Sequence, residues 1–297
     1  MVVAVRKKLK ASERSVCRAV SQPRSTQRYQ AQQRNGEKAL CDRMRELALR
    51  KPRYGYRMIA ILLREEGFKV NRKRVHRLWR REGLKVPQKQ RKRRRLGKDA
   101  SSDHACHRMK ALKMNQVWSF DFCQDRTDDG RALKLFSVID EFTRRSLVIE
   151  VRRHITGNDV VKILKRMVEV HGAPEHIRCD NGPEFVSRAV KDWLSSSQIG
   201  ALYIAPGSPW ENGYAESYHA RMRDEVLNRE DFGTLLQAQG LLELWRQEYN
   251  NDRPHGSLGY MTPAAFAESC RRAEPSLATL GPAQRGEGKV SGESVAL

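Results

Sequence analysis

The chain has 297 residues, which is longer than most single domains, so we expect two or three domains. Hydrophobic residues make up 39% of it, enough for a packed core, and no apolar run approaches the roughly 20 residues of a membrane span. In residues 1–10 the apolar residues precede the charged ones, the reverse of a secretory signal. These features argue against a membrane or exported protein and predict a cytoplasmic one.

The positive charge is concentrated in the first third of the chain. The formal net charge is +22, and residues 1–100 hold 32 Lys and Arg against 8 Asp and Glu, which leaves a balance of −2 for the rest. Because basic side chains release counterions when they neutralise phosphates, this third is predicted to bind nucleic acid in a salt-dependent way. A merely solubilising basic tail is the alternative, and helical patterning within this third argues against it.

The six cysteines are scattered and form no C-x-x-C pair, so we expect them to be reduced. A zinc site would have to start from His104, Cys106 and His107, but no second ligand pair follows at the spacing of a zinc finger. A solvated linker is the favoured interpretation of this segment.

Helices are predicted within the basic third. Residues 37–50, 56–66 and 72–82 each repeat apolar residues at helical spacing. Asn71 is a suitable cap for the third of these helices, and Gly83 is a suitable end.

The second and third of these helices are joined by a short turn that contains glycine, as in a helix-turn-helix. Any helical hairpin would satisfy this geometry, and the charge of the later helix favours a recognition helix. Its predicted DNA-binding residues are Arg72, Lys73, Arg74, Arg77, Arg80 and Arg81.

The predicted organisation of this part is a basic helical DNA-binding region at residues 1–86, with the helix-turn-helix at about 53–86. Residues 12–30 are interpreted as a further short helical pair. A basic linker poor in apolar residues follows at 87–113.

After residue 114 the apolar period changes to that of strands. Residues 117–123, 134–140 and 145–151 are predicted to form three strands, the first two joined by an Asp-Asp-Gly turn at 128–130. Helices and strands then alternate, with a helix at 158–170, a strand at 176–180, a helix at 187–197, a strand at 201–205 and a long helix from about Asn212. Thr156 and Asp159 are spaced as in a capping box at the start of the first of these helices.

This order predicts a mixed five-stranded α/β sheet covered by helices, which is the order of a ribonuclease-H-like core. We place that core at residues 114–232, followed by a helical extension at 233–271. The tail at 272–297 is rich in Gly, Ser and Pro and is predicted to be disordered.

Two aspartates are candidate site residues on the predicted strands. Asp121 lies inside an apolar strand, where a carboxylate needs a partner, and a salt bridge to Arg or Lys is the plain alternative. Asp180 ends a strand, the place where ligands bind in open α/β sheets, although an Asp before Asn-Gly also forms ordinary turns.

Glu216 is the third candidate, in the first turns of a helix for which Asn212 is a plausible cap. Considered alone, Glu216 is indistinguishable from an ordinary solvent-exposed helix residue. With 35 residues between it and Asp180, and with Asp121 on a neighbouring strand, the three carboxylates predict one site for Mg²⁺ or Mn²⁺. Two such ions can stabilise the attacking and leaving oxygens of a phosphoryl displacement.

Four segments resemble the retroviral-integrase-type core of bacterial insertion-sequence transposases, in particular the second-reading-frame protein that carries the catalytic domain. They are WSFD (118–121), VIDEFTRR (138–145), RCDNGPEF (178–185) and SPWENGYAESYHARMRDE (208–225). Residues 53–85 and 249–266 are similar to that family's helix-turn-helix and post-core segment, so the resemblance covers nearly the whole chain.

The resemblance implies that Asp121, Asp180 and Glu216 are the catalytic triad and bind two Mg²⁺ ions, with Mn²⁺ as a substitute. Asn212 and Arg223 would position DNA or the Glu-bearing helix. Asp140, similar to a recurring family Asp, is taken as structural, and a ligand set built on it is the competing possibility.

The activity implied is hydrolysis of a phosphodiester at the end of an element, followed by attack of the freed 3′-hydroxyl on another DNA strand. The implied partners are terminal inverted repeats, target DNA, a first-reading-frame protein or its fusion, and further copies of the chain. No leucine-zipper heptads occur, so we expect the second-frame product alone. A ribonuclease-H-type nuclease and a non-catalytic DNA-binding regulator remain the alternatives.

Overall fold

The computed structural model describes residues 2–29, 36–87, 109–179, 182, 185, 187–203 and 212–273. The chain divides into two compact units, Met1–Pro87 and Gln88–Leu297. Most of the predicted linker, almost all of the predicted tail and the segment proposed for zinc lie outside the described residues. Within the described ranges, no helix is both long and apolar enough to cross a membrane.

The first unit begins with three short helices. They are α1 (Val2–Leu9), α2 (Glu13–Ala19) and α3 (Arg24–Arg28). The Ser12 hydroxyl caps α2 by accepting the Ser15 amide, and a small apolar cluster packs α1 against α2. The helices α2 and α3 are the short helical pair predicted at residues 12–30.

Three further helices form the main core of the first unit. They are α4 (Glu37–Arg50), α5 (Tyr56–Glu65) and α6 (Arg72–Arg81). The Asn71 side chain caps α6 by accepting the Arg74 amide, as predicted. Gly67 and Gly83 follow α5 and α6 with φ of +88° and +68°, a left-handed backbone that ends a helix at low cost only for glycine.

The second unit is built on a five-stranded sheet. Its strands are β1 (Val117–Arg126), β2 (Ala132–Asp140), β3 (Ser146–Arg152), β4 (His176–Cys179) and β5 (Gly200–Tyr203). The order across the sheet is β3-β2-β1-β4-β5, with β1, β2 and β3 antiparallel and β4 and β5 parallel to β1. The predicted mixed sheet is confirmed.

Helices cover both faces of this sheet. They are α7 (Gly157–His171), α8 (Arg188–Ser196), α9 (Gly213–Met222), α10 (Leu235–Asn251) and α11 (Pro263–Ala273). The capping box predicted at Thr156 and Asp159 is present at the start of α7. The helix predicted from Asn212 differs in one respect, because α9 passes into a π-helical turn over Arg223–Leu227.

Strand alternation divides the apolar residues between two cores. Trp118 and Phe120 of β1 pack with α7 and α8, whereas Cys123 packs on the other face with α9 and α10. Asp121 shares the odd-numbered side of β1 with Cys123 and therefore faces α9.

A buried ion pair holds β4 beside β1. The Arg178 guanidinium donates from Nε to Glu141 Oε1 over 2.8 Å and from Nη2 to the Met109 carbonyl over 2.7 Å. The Ser119 hydroxyl of β1 also donates to Glu141 Oε1. The strand and the turn after β2 are thereby tied together where water is excluded, so each charge depends on the other.

Replacing Arg178 with Met should leave the Glu141 charge buried without its cation. We expect the free energy of unfolding to fall by about 3–5 kcal/mol in guanidinium chloride titrations. Arg188→Ala is the control, since its pair with Asp192 has side chains 95% and 69% exposed and should contribute less than about 1 kcal/mol. Equal losses in the two variants would contradict the assigned role of the buried pair.

Candidate functional site

Asp121 occupies the middle of β1, directly opposite Ser137 of β2. Its side chain is 21% exposed, and its Oδ1 accepts the amide of Phe122 over 2.7 Å. No Arg or Lys of the described ranges forms an ion pair with it. The alternative interpretation of Asp121, a structural salt bridge to Arg or Lys, is therefore not supported by the described residues.

The partner of Asp121 is His219 of α9, which the sequence did not single out. His219 Nδ1 lies 3.4 Å from Asp121 Oδ2, and His219 Nε2 lies 2.7 Å from the Ser137 hydroxyl. An imidazole with its proton on Nδ1 can point that proton at Asp121 and accept from Ser137 at Nε2. The sequence feature that could have identified His219 is its position three residues after Glu216, on the same face of the helix.

Glu216 lies in the first turn of α9 and is exposed. Because residues three apart on a helix are neighbours, Glu216 lies one turn from the residue that contacts Asp121. The buried residues Ala215 and Tyr218 turn away from it into the second core. The helix therefore holds a solvated carboxylate one turn from its contact with β1.

Asp180, the third predicted carboxylate, lies outside the described residues. In sequence it directly follows Cys179, the last residue of β4, and β4 runs parallel to β1 with Arg178 beside Ser119. Within the described part of the chain, no three His, Cys, Asp or Glu side chains come together as a metal site. Asp121 and Glu216 supply hard oxygen donors that no Arg or Lys of the described residues pairs with, which suits a divalent cation such as Mg²⁺.

Asn212 precedes α9 as predicted, but its side chain makes no capping hydrogen bond, so that part of the prediction is wrong. The residue is only 4% exposed, and its buried Oδ1 has no hydrogen-bond partner among the described residues. Arg223, at the end of the same helix, donates to the Cys123 sulfur over 3.1 Å and lies 3.4 Å from the Gln124 carbonyl. Arg223 thus fastens α9 along β1 and is still exposed to solvent.

Asp140 is fully engaged in the turn after β2. Its Oδ1 accepts from the amide and hydroxyl of Thr143, and its Oδ2 accepts from the amide of Asn115. Burial raises the pKa of Asp140, and these hydrogen bonds oppose that shift. Both oxygens serve the backbone, as expected of a structural residue rather than a metal ligand.

The basic residues of α6 divide into two groups. Arg81 pairs with the buried Glu37 of α4 over 2.5 Å and holds the pKa of that carboxyl below its ordinary value. Arg74 and Arg77 each lie 3.9 Å from the same carboxylate, although the Arg77 side chain is 62% exposed. Three other predicted residues are exposed and form no ion pair with the described part of the chain, and these are Arg72, Lys73 and Arg80.

Family comparisons match this architecture segment by segment. An HTH-like domain matches residues 36–93, and integrase core domain families match residues 111–209 and 197–263. The chain is 38% identical to a 31.7 kDa protein of insertion element IS407 from Burkholderia multivorans, covering 90% of this chain and 95% of that protein. It is also 38% identical to a 39.2 kDa protein of IS476 from Xanthomonas euvesicatoria, and this match covers 88% of this chain and 73% of that protein.

The chain belongs to the bacterial insertion-sequence transposases that combine an HTH-like domain with an integrase core domain. Among solved structures it is similar to the HTLV-2 integrase catalytic core, determined in complex with magnesium, with 17% identity and a TM-score of 0.43. That likeness covers 53% of this chain and 99% of the viral domain.

His219→Ala should loosen α9 from the sheet. The change removes the contact with Asp121 and the shorter hydrogen bond of the buried Ser137 hydroxyl, so we expect a loss of about 1–2 kcal/mol in the free energy of unfolding. Amide exchange in α9 should accelerate. Arg221→Ala is the control, because within the described residues Arg221 forms hydrogen bonds only to Ser217 of its own helix. Exchange in α9 that is equally fast in both variants would argue against the link.

Proposed function

We propose that this chain cuts DNA at the ends of an insertion sequence and joins the freed 3′ ends to another DNA strand. The observation that carries the proposal is the approach of α9 to β1. His219 brings the helix that bears Glu216 against Asp121, and no Arg or Lys of the described residues forms an ion pair with either carboxylate. Membership of the transposase family supports the same chemistry.

In this proposal Asp121, Asp180 and Glu216 form the catalytic triad and hold two Mg²⁺ ions, with Mn²⁺ as a substitute. Divalent ions bound there would supply charge stabilisation to the attacking and leaving oxygens of an in-line displacement. The protein fixes the donors, since β1 holds Asp121 and α9 holds Glu216 on separate rigid elements. His219 orients the Asp121 carboxylate from one side.

DNA binding is assigned to both units. On α6 we propose contacts from the predicted set, above all from the exposed Arg72, Lys73 and Arg80. Near the triad, Arg223 has the exposure to contact DNA as well as to fasten α9. Asn212 is buried, so we propose that it supports the start of the helix instead.

The proposed partners are the terminal inverted repeats, target DNA, a first-reading-frame protein or its fusion, and further copies of this chain. We propose that the protein acts in the bacterial cytoplasm on the nucleoid. The relatives from insertion elements support the repeats and the bacterial setting. The domain division proposed is the basic helical region at 1–86, the core at 114–232 and the helical extension at 233–271.

Glu216→Gln should abolish joining of labelled terminal-repeat DNA in Mg²⁺ or Mn²⁺. We expect a loss of about a thousandfold or more, because several kcal/mol of charge stabilisation disappear and about 1.4 kcal/mol corresponds to tenfold. DNA binding should persist.

Glu230→Gln, the same change at an exposed residue away from the triad, is the matched control and should remain active. Joining that survives Glu216→Gln would remove Glu216 from the triad. Cleavage of RNA–DNA hybrids without any joining would favour a ribonuclease-H-type nuclease, and binding without chemistry would favour a regulator.

Lys73→Ala should weaken DNA binding and lower the slope of log affinity against log salt by about 0.9, the value for one phosphate contact. Lys38→Ala removes the same charge from the exposed side of α4 and should leave the slope unchanged. Arg81→Ala should instead lower the melting temperature, because it removes the cation that lies nearest to the buried Glu37. Equal slopes for Lys73→Ala and Lys38→Ala would refute the recognition-helix assignment.

A further inference from the structure

The buried hydroxyl of Ser137 is the inner end of a chain of contacts that reaches Asp121. Ser137 lies directly opposite Asp121 on β2 and is fully buried. Residues opposite each other in an antiparallel pair project from the same face of the sheet, and α9 packs on that face. The imidazole ring of His219, 13% exposed, contacts both of these side chains. The strands β1 and β2 and the helix α9 therefore meet at one ring.

The two ring nitrogens of His219 have different partners. Nε2 lies 2.7 Å from the Ser137 hydroxyl oxygen, and Nδ1 lies 3.4 Å from Asp121 Oδ2. The Ser137 hydroxyl has one proton to donate, and its other acceptor, the Asp121 carbonyl, is 3.5 Å away. The hydrogen bond at one ring nitrogen decides which nitrogen carries the ring proton. A proton donated by Ser137 to Nε2 therefore places the ring proton on Nδ1.

The opposite placement of these protons is unfavourable. A proton on Nε2 would be donated to Ser137, and Nδ1 would then direct a lone pair at the Asp121 carboxylate. A lone pair and a carboxylate oxygen 3.4 Å apart repel each other, whereas an N–H group at that place is attracted to the negative charge. The geometry therefore favours the tautomer of His219 with its proton on Nδ1.

The same contacts fix the direction of the Asp121 carboxylate. Its Oδ1 accepts the Phe122 amide over 2.7 Å, and its Oδ2 faces Nδ1 of His219. Because each oxygen has a neighbour, rotation of the carboxylate about its last bond would disturb both contacts. An ionised carboxylate oxygen accepts more than one bond, so both oxygens keep lone pairs for a metal ion. Asp121 is therefore held in one orientation before a cation binds.

We propose that Ser137 is a positioning residue of the reaction, because its hydroxyl sets the tautomer of His219 and His219 then orients Asp121 for the divalent cation. The inference rests on the proposed function, since it takes Asp121 as a metal ligand. Both residues act through Asp121 and not on the DNA itself. Outer partners that orient a metal ligand in this way contribute about 10- to 100-fold to metal affinity.

The first test observes the ring proton directly, in NMR spectra of the full chain labelled with ¹⁵N-histidine and kept free of metal. At about pH 8, where histidine is ordinarily neutral, the His219 ring is expected to carry its proton on Nδ1. In Ser137→Ala the proton should move towards Nε2. A proton on Nε2 in the wild type, or the same tautomer in both proteins, would overturn the inference whether or not the chain cuts DNA.

The second test uses two amide side chains as partial copies of the imidazole. The amide nitrogen of Asn is two bonds from Cβ, as is Nδ1 of His, whereas the amide nitrogen of Gln is three bonds away, as is Nε2. His219→Asn should therefore keep the donor that faces Asp121 and an Mn²⁺ affinity close to that of the wild type. His219→Gln should bind Mn²⁺ about 10- to 100-fold more weakly. The affinity is measured from the rise in melting temperature with Mn²⁺ concentration.

Ser137→Ala should weaken Mn²⁺ binding in the wild-type background and have no further effect in His219→Asn, where the donor no longer depends on the hydroxyl. Ser146→Ala is the matched control, since it removes a fully buried strand hydroxyl that lies 2.6 Å from the Tyr218 hydroxyl of α9, and it should leave the Mn²⁺ affinity unchanged.

Equal losses of Mn²⁺ affinity in Ser137→Ala and Ser146→Ala, or in His219→Asn and His219→Gln, would overturn this inference and leave the proposed function standing. A wild type whose melting temperature does not respond to Mn²⁺ would overturn the proposed metal site, and this inference with it.

Discussion

The parallel pairing of β4 with β1 is the constraint on which the second unit depends. In the described part of the chain three residue pairs join the two strands, and the buried pair of Arg178 with Glu141 reinforces them. A parallel neighbour requires a crossover, which α7 provides after the antiparallel strands. Since β5 in turn pairs with β4, the order of the sheet beyond β1 follows from this one junction.

The helix α9 links the core to the proposed chemistry. Its inner side closes the second core through Tyr218, whose hydroxyl lies 2.6 Å from the Ser146 hydroxyl of β3. His219 and Arg223 fasten the same helix along β1. The remaining side presents Glu216 to solvent, so packing that stabilises the fold also fixes the position of this carboxylate.

Net charge describes the two units only coarsely. The first unit is strongly basic, yet its buried Glu37 takes up part of the charge of the recognition helix through Arg81. The rest of the chain is nearly neutral, yet it contains both the buried pair of Arg178 with Glu141 and the exposed Arg223. The positive charge that a binding partner contacts depends on which arginines are paired with a carboxylate. The net charge of the sequence does not contain that information.

The sequence by itself determined the periods, the caps and the turns, because these depend on residues close together in the chain. The five strands, the Asn71 cap and the capping box at Thr156 are found where local chemistry predicted them. Only the tertiary structure decided that His219 is the partner of Asp121 and that Asn212 is buried without capping its helix. These features depend on contacts between helices and strands that are far apart in sequence. The residue pattern within one helix or strand does not tell which side chains of another element it will contact.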